Sequence, residues 1–241
     1  LIDYPGFNMI IAKWATRLGI PVHYYILPQA WAWKENRVKK LAEHTNFRYA
    51  ILPFEVDFFE QKHKLSIDFV GHPLIDEFFT IPDLKEDVFR TQLGIPNNQK
   101  VIALLPGSRK QEINKILQVM TSVIDAFPNH YFVIAGTSNI DKSLYQRFAP
   151  KVDIVMDRTY DVLRIAQAAI VTSGTATLET ALLKIPQIVC YKTSPLSFAI
   201  AKRIVKLPFV SLVNLIAGHL LVQEMIQKDC NAFALTDALQ D

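Results

Sequence analysis

Apolar residues along the chain fall into two series of short runs separated by stretches of helical period. In the first series, residues 22–27, 47–52 and 67–70 are β-rich and alternate with amphipathic stretches at 33–44 and 54–63. Strands that alternate with helices at this spacing build a parallel sheet, because each parallel neighbour needs a crossover connection. The same grammar resumes near residue 98, with runs at 101–105, 131–135, 152–156, 169–172 and 187–191, each followed by a helical segment or a turn. Between the two series GHPLIDEFFTIPDLKED, residues 71–87, holds Pro73 and Pro82 and loses its period, which predicts a linker. The expected fold class is therefore α/β, with two Rossmann-like halves built on parallel sheets and spanning 1–80 and 81–241. A ligand is expected in the crevice between such halves.

Composition narrows the function classes. With 241 residues, half of them hydrophobic, the chain can bury one large core or two modest ones. A net charge of +3 and a pI of about 8.8 fall short of the dense Lys/Arg field of a nonspecific nucleic-acid binder, so no nucleic acid is expected as a partner. Cys190 and Cys230 sit in no CxxC pattern, which predicts neither a disulfide framework nor a thiolate metal site and fits the reducing cytoplasm. The longest apolar region, 195–222, is broken by Lys202, Arg203, Lys206 and Pro208, short of the roughly 20 apolar residues that cross a bilayer. The six histidines show no HxH or HExxH spacing and the chain has no Asp-x-Asp pair, so no metal is expected. The opening LIDYPGFN reads as the tail of a strand that begins upstream, so a fragment is expected.

Three strand-to-helix turns hold the candidate chemistry. In VTSGTATLET (171–180) an apolar run ends in Ser173, Gly174 and Thr175, at the start of a predicted helix over 176–183. Free amides and the positive dipole end suit a phosphate there, and Glu179 stands where it can accept from ribose hydroxyls. Ordinary N-capping uses the same residue types. In VIALLPGSRKQEI (101–113) another buried strand ends in Gly107, Ser108 and Arg109. Neither GK[ST] nor GxGxxG is present, which turns the reading away from ATP hydrolysis and NAD chemistry. What remains is an arginine whose planar fork can grip a diphosphate, or else a surface arginine after a turn. In LIDYPGFN, Asp3 stands at a strand's carboxyl end, as a general base or as an Asx-turn residue. PQAWAWKENRVKK (28–40) reads as an aromatic loop leading into a solvated basic helix, with a lipid-headgroup surface as the alternative. Asn214, polar within the apolar FVSLVNLIAG, is a loop cap or a cleft ligand.

Taken in order, IDYPGFN, PQAWAWKENRVKK, PFEVDFF, VGHPLID, LLPGSR, SGTATLE, the Tyr191-Lys192 pair and FVSLVNLIAG make the chain resemble the lipid-A-disaccharide synthase family over nearly its whole length. The resemblance implies an inverting glycosyltransferase of GT-B fold, with the first half incomplete here. It would move 2,3-diacylglucosamine from its UDP carrier to 2,3-diacylglucosamine 1-phosphate, forming the β-1,6-linked disaccharide 1-phosphate and UDP. The partners implied are those two lipids and the inner-membrane surface, reached as a cytoplasmic peripheral enzyme, with no cofactor beyond the UDP-sugar donor. Carried over by motif, the family's aspartate falls on Asp3 and its arginine on Arg109. The donor-site residues fall on Gly107, Ser108, Ser173, Gly174, Thr175 and Glu179, and its asparagine on Asn214. Two departures stand out: Gly6 occupies a position where many members have Asp, and Val213 one where many have Pro. The family's upstream part holds a glycine-rich GETSGD-like turn and an apolar membrane patch, and its C-terminal tail packs on the other half or exchanges within a homodimer. The rival readings are another UDP-sugar enzyme of the same fold, such as a muramyl-lipid N-acetylglucosaminyl transferase or a 2-epimerase, and an inactive nucleotide-binding fragment.

Overall fold

The computed structural model describes residues 1–205 and 207–240, and Lys206 and Asp241 lie outside them. It divides into two compact units, Leu1–Thr80 with Ala199–Leu207, and Ile81–Phe198 with Pro208–Asp241.

In the first unit α1 (Pro5–Arg17) leads to β1 (His23–Tyr25), α2 (Arg37–His44) and β2 (Phe47–Ala50). A helical turn α3 (Phe54–Val56) then widens into π-helical turns over Asp57–Lys62, ahead of β3 (Asp68–Phe69) and α4 (Leu74–Thr80). The three strands are parallel in the order β1-β2-β3, with Tyr25 opposite Tyr49 and Ala50 opposite Phe69, and Ile2 bridges Tyr25. Tyr24, Leu27, Leu41 and Phe59 fill the core beneath them. Side chains of this size each contribute roughly 1.5–3 kcal/mol when fully buried.

α4 shortens the expected linker, and the boundary between the two units, after Thr80, falls within it. Pro73 directly precedes this helix, and the Leu74 amide donates to Nδ1 of His72 at 3.2 Å, so the proline belongs to a helix start rather than a break. Leu74 is buried, which anchors the segment to the first unit.

The second unit opens with α5 (Glu86–Gln92) and β4 (Lys100–Leu105), followed by α6 (Lys110–Thr121), β5 (His130–Gly136), α7 (Lys142–Phe148) and β6 (Asp153–Met156). It continues through α8 (Thr159–Arg164), β7 (Ala168–Thr172), α9 (Ala176–Leu182) and β8 (Gln187–Tyr191). α10 (Pro195–Ile204) starts in this unit and from Ala199 onward belongs to the first, and α11 (Leu212–Ala217), β9 (Gln223–Ile226) and α12 (Ala232–Gln240) follow in the second. All six strands are parallel, in the order β6-β5-β4-β7-β8-β9. Alternate residues of β4 enter two different cores: Ile102 and Leu104 join Ile113, Leu117 and Met120 of α6, whereas Val101, Ala103 and Leu105 join Val162 and Leu163 of α8. Both faces of the sheet are thus covered, which is why its central strands read as unbroken apolar runs.

β9 is absent from the runs read in the sequence. It is an edge strand and only partly buried, so Gln223 and Glu224 are tolerated and the apolar signal is weak. Numbered within the unit, the strand order is 3-2-1-4-5-6, the doubly wound arrangement, and chain direction reverses across the sheet between β4 and β7.

Candidate functional site

In an open parallel sheet the crevice beyond the carboxyl ends of the strands opens where the strand order reverses. The turns that follow β4 and β7 meet at that point and line a cavity of about 360 Å³. It lies wholly within the second unit. Gly107, Ser108, Arg109, Ser173, Gly174, Thr175 and Glu179, seven residues singled out in the sequence, all face it.

The β4 turn is shaped by Gly107, whose φ of +98° suits a residue without Cβ. Arg109 then caps α6 in an extended conformation, and its carbonyl accepts from the amides of Glu112 and Ile113 at 3.0 and 3.1 Å. Its guanidinium donates to Oε1 of Glu112 at 2.8 Å. The Arg109 side chain is 79% exposed, so this pair holds it with only about 0–1 kcal/mol and can yield to a stronger anion.

The β7 turn is held from behind. The Ser173 amide donates to the Cys190 carbonyl at 2.8 Å, and its hydroxyl to the Val210 carbonyl at 3.0 Å. Thr177 and Thr180 spend their hydroxyls on the carbonyls of Gly174, in the turn, and of Ala176, in α9. Of the hydroxyls in this stretch, Ser173 and Thr175 line the cavity together with Thr172. Thr172 is 5% exposed and its Oγ1 has no hydrogen-bond partner among the described residues. A buried polar atom of this kind is uncommon without a ligand or water to receive it.

Glu112 and Thr172, like Thr137 and Thr159, line the cavity but escaped the sequence reading. Glu112 carried a signal in its spacing, three residues after Arg109 at a helix start. Thr172 carried none, since it reads as the last residue of a strand.

Asn214 has a different place. It is fully buried and does not line the cavity. Its Nδ2 donates to the Val222 carbonyl and to Oε1 of Glu224 at 2.9 and 2.8 Å, and its Oδ1 accepts from the Leu221 and Val222 amides at 2.8 and 2.9 Å. All of its hydrogen-bonding capacity is spent within the chain, so the cleft-ligand reading gives way to a structural one. Glu224 also accepts from the amides of Val210 and Ser211 and from the Ser211 hydroxyl, binding the start of α11 to β9.

Asp3 belongs to the first unit, where it follows the Ile2 bridge and is exposed, with φ of 44°. In the same unit the tryptophan stretch divides its work. The Trp31 indole donates to buried Glu55 at 3.0 Å, whereas partly exposed Trp33 lies under Lys34 and Arg37, at 4.5 and 4.6 Å from its ring centre. Burial pushes the Glu55 carboxyl above its ordinary range, opposed by donation from the Leu52 amide, the Trp31 indole and the Ile51 amide.

Among the described residues no helix is long and apolar enough to cross a membrane, and no cluster of His, Cys, Asp and Glu could hold a metal ion.

The family model for lipid-A-disaccharide synthetase matches residues 1–240. Lipid-A-disaccharide synthase of Sulfurihydrogenibium sp. is 37% identical over 96% of this chain and 64% of its own length. The same enzyme of Geobacter sulfurreducens is 37% identical over 96% and 62%. The chain therefore spans about three fifths of the length of these curated relatives. Among solved structures, a putative UDP-N-acetylglucosamine 2-epimerase from Listeria monocytogenes matches with a TM-score of 0.59 at 11% identity, over 90% of this chain and 63% of that one. A glycosyltransferase from Rickettsia africae matches with a TM-score of 0.53 at 12% identity, over 97% and 70%. At such identities the likeness concerns the fold, which is that of GT-B glycosyltransferases.

Proposed function

The chain belongs to the lipid-A-disaccharide synthetase family, and from that premise we propose that it carries the donor site and catalytic aspartate of an inverting transferase. The reaction moves 2,3-diacylglucosamine from UDP to the 6-hydroxyl of 2,3-diacylglucosamine 1-phosphate, giving the β-1,6-linked disaccharide 1-phosphate and UDP. The observation that carries this reading is the cavity at the β4/β7 reversal, where Arg109, the turn of Gly174 and Thr175 and the unpartnered Thr172 hydroxyl converge.

In this reading the diphosphate of the donor takes Arg109 from Glu112 and settles against the amides of Gly174 and Thr175. Glu179 accepts from the ribose hydroxyls. Asp3 removes the proton of the acceptor 6-hydroxyl as its oxygen attacks the anomeric carbon from the face opposite UDP, so the configuration inverts. Arg109 and the amides stabilise the charge that develops on the departing diphosphate. No cofactor or metal takes part. The acylated substrates place the enzyme at the cytoplasmic face of the inner membrane as a peripheral protein, and a homodimer is compatible with the family.

Release of UDP that depends on the acylated acceptor tests this proposal against its rivals. Release without acceptor, or conversion of UDP-N-acetylglucosamine to its 2-epimer, would overturn it.

A further inference from the structure

Asp3 and Tyr4 both lie in the left-handed region, with φ of 44° and 43°, immediately before the Pro5 that opens α1. This region disfavours residues with a Cβ. Aspartate tolerates it, but a bulky residue such as tyrosine is an outlier unless surrounding contacts enforce it. Two such residues in succession therefore need external restraint.

The restraint comes from two side chains. Asn8, buried on the first turns of α1, donates through Nδ2 to the carbonyls of Ile2 and Asp3 at 2.8 and 2.7 Å. Tyr24, fully buried on β1, donates its hydroxyl to the Asp3 carbonyl at 2.8 Å. The Asp3 amide in turn donates to the Tyr25 carbonyl at 2.8 Å. The Asp3 carbonyl thus has both lone pairs occupied, and the peptide planes on either side of its Cα are pinned. Fixing both planes fixes the Cα–Cβ direction and leaves only the side-chain torsions free. Burial, and then the nearby Asp3 charge, push the Tyr24 phenol up to about 12, so the hydroxyl keeps its proton at any ordinary assay pH.

We propose that Tyr24 and Asn8 are positioning residues for Asp3. They hold its main chain in a conformation it would not keep unaided, and so aim the carboxylate at the acceptor hydroxyl. Neither touches the reacting atoms. The inference rests on the reading of Asp3 as general base, and goes beyond it by naming what holds that base in place. Displacing a catalytic group by about 1 Å can lower turnover about 100-fold, so a hydrogen bond to a main-chain carbonyl can matter without any contact with substrate.

The test is a double-mutant cycle in the full chain, with Asp3→Asn, Tyr24→Phe and their combination, and Asn8→Asp as a second probe of the same clamp. Tyr24→Phe removes one oxygen and keeps the buried ring, so the fold should survive. With Asp3 present, Tyr24→Phe is expected to lower kcat about 10- to 100-fold while the KM for the UDP-sugar stays within about twofold. With Asn at position 3, the same change is expected to have no further effect on kcat, because only the base was being aimed. Wild-type kcat in Tyr24→Phe would overturn the proposal, as would an equal fall in both backgrounds, which marks a merely structural role. Asn8→Asp is expected to reproduce the same split, and unchanged kcat in it would remove Asn8 from the clamp. Full activity in Asp3→Asn would instead sink the general-base reading itself, so the two failures are distinguishable.

Discussion

Arg109 reaches one helical turn forward to hold the Glu112 carboxylate at 2.8 Å, and the other oxygen of that carboxylate lies 2.5 Å from where a Cβ on Gly107 would stand. An acidic side chain is therefore folded over the turn that the proposed mechanism reserves for a diphosphate. The pair is solvent-exposed on the arginine side, so exchange of one anion for another is energetically easy.

Arg109→Ala is expected to reduce turnover by about 2–4 kcal/mol of transition-state stabilisation, the order lost when one charge-stabilising donor is removed. The melting temperature should hardly move, because an exposed pair contributes about 0–1 kcal/mol. Turnover at saturating donor is the measurement, and a near wild-type value would remove Arg109 from the mechanism.

Gly107→Ala meets two obstacles of different size. The Glu112 carboxylate is the far end of a flexible side chain and can move aside, whereas a φ of +98° cannot be relieved without moving the turn. A loss of about 1–3 kcal/mol in stability is expected, together with weaker UDP binding. Gly6→Ala is the control, since a Cβ there meets nothing within 4 Å. Its stability should change by no more than about 1 kcal/mol. Equal behaviour of the two variants in urea unfolding and UDP calorimetry would contradict the strained-turn account.

Asn214→Ala should weaken the fold and spare the ligand. The Leu221 and Val222 amides and Glu224 would all lose a partner in a part-buried setting, for a cost of about 1–3 kcal/mol. UDP affinity, measured well below the melting temperature, should stay within about threefold. A stable variant that binds UDP poorly would restore the cleft-ligand role.

Glu55 makes stability pH-dependent in a defined direction. Burial raises its native pKa above the unfolded value, so over that interval the native state keeps a proton the unfolded chain has released. The contribution of this group is therefore greatest below the ordinary glutamate value of about 4.3 and declines as pH rises through the native pKa. Denaturant unfolding of wild type and Glu55→Gln at a series of pH values isolates the effect. Wild type should lose stability relative to the variant as pH rises, and a constant difference would refute the assignment.

Disaccharide formation should continue in excess EDTA, since Arg109 and the turn amides are proposed to neutralise the diphosphate alone. Abolition by chelator, reversed by a divalent ion, would require a metal in the mechanism.

The sequence by itself determined the local grammar. Apolar runs such as 101–105 and 169–172 had to be buried parallel strands, and the residues after them, 107–109 and 173–175, had to be tight turns into helices. Those are properties of contiguous residues, set by side-chain period and by the conformations Gly and Pro permit. The sequence also carried the family motifs in order.

What it could not determine was which strands become neighbours. Only the pairing of β4 with β7, with Leu105 opposite Val171, brings the two turns to one cavity, because strand order is decided by how two apolar faces are covered at once. The same holds for single residues. Asn214 reads as a loop cap or a cleft ligand until Leu221 and Val222, ahead of β9, and Glu224 within it are seen to saturate its amide. Asp3 reads as a base at a strand end, while its left-handed main chain and the side chains of Asn8 on α1 and Tyr24 on β1 that meet at its carbonyl appear only in the fold. A hydrogen bond between residues distant in sequence leaves no period to read, so such contacts were settled by tertiary structure alone.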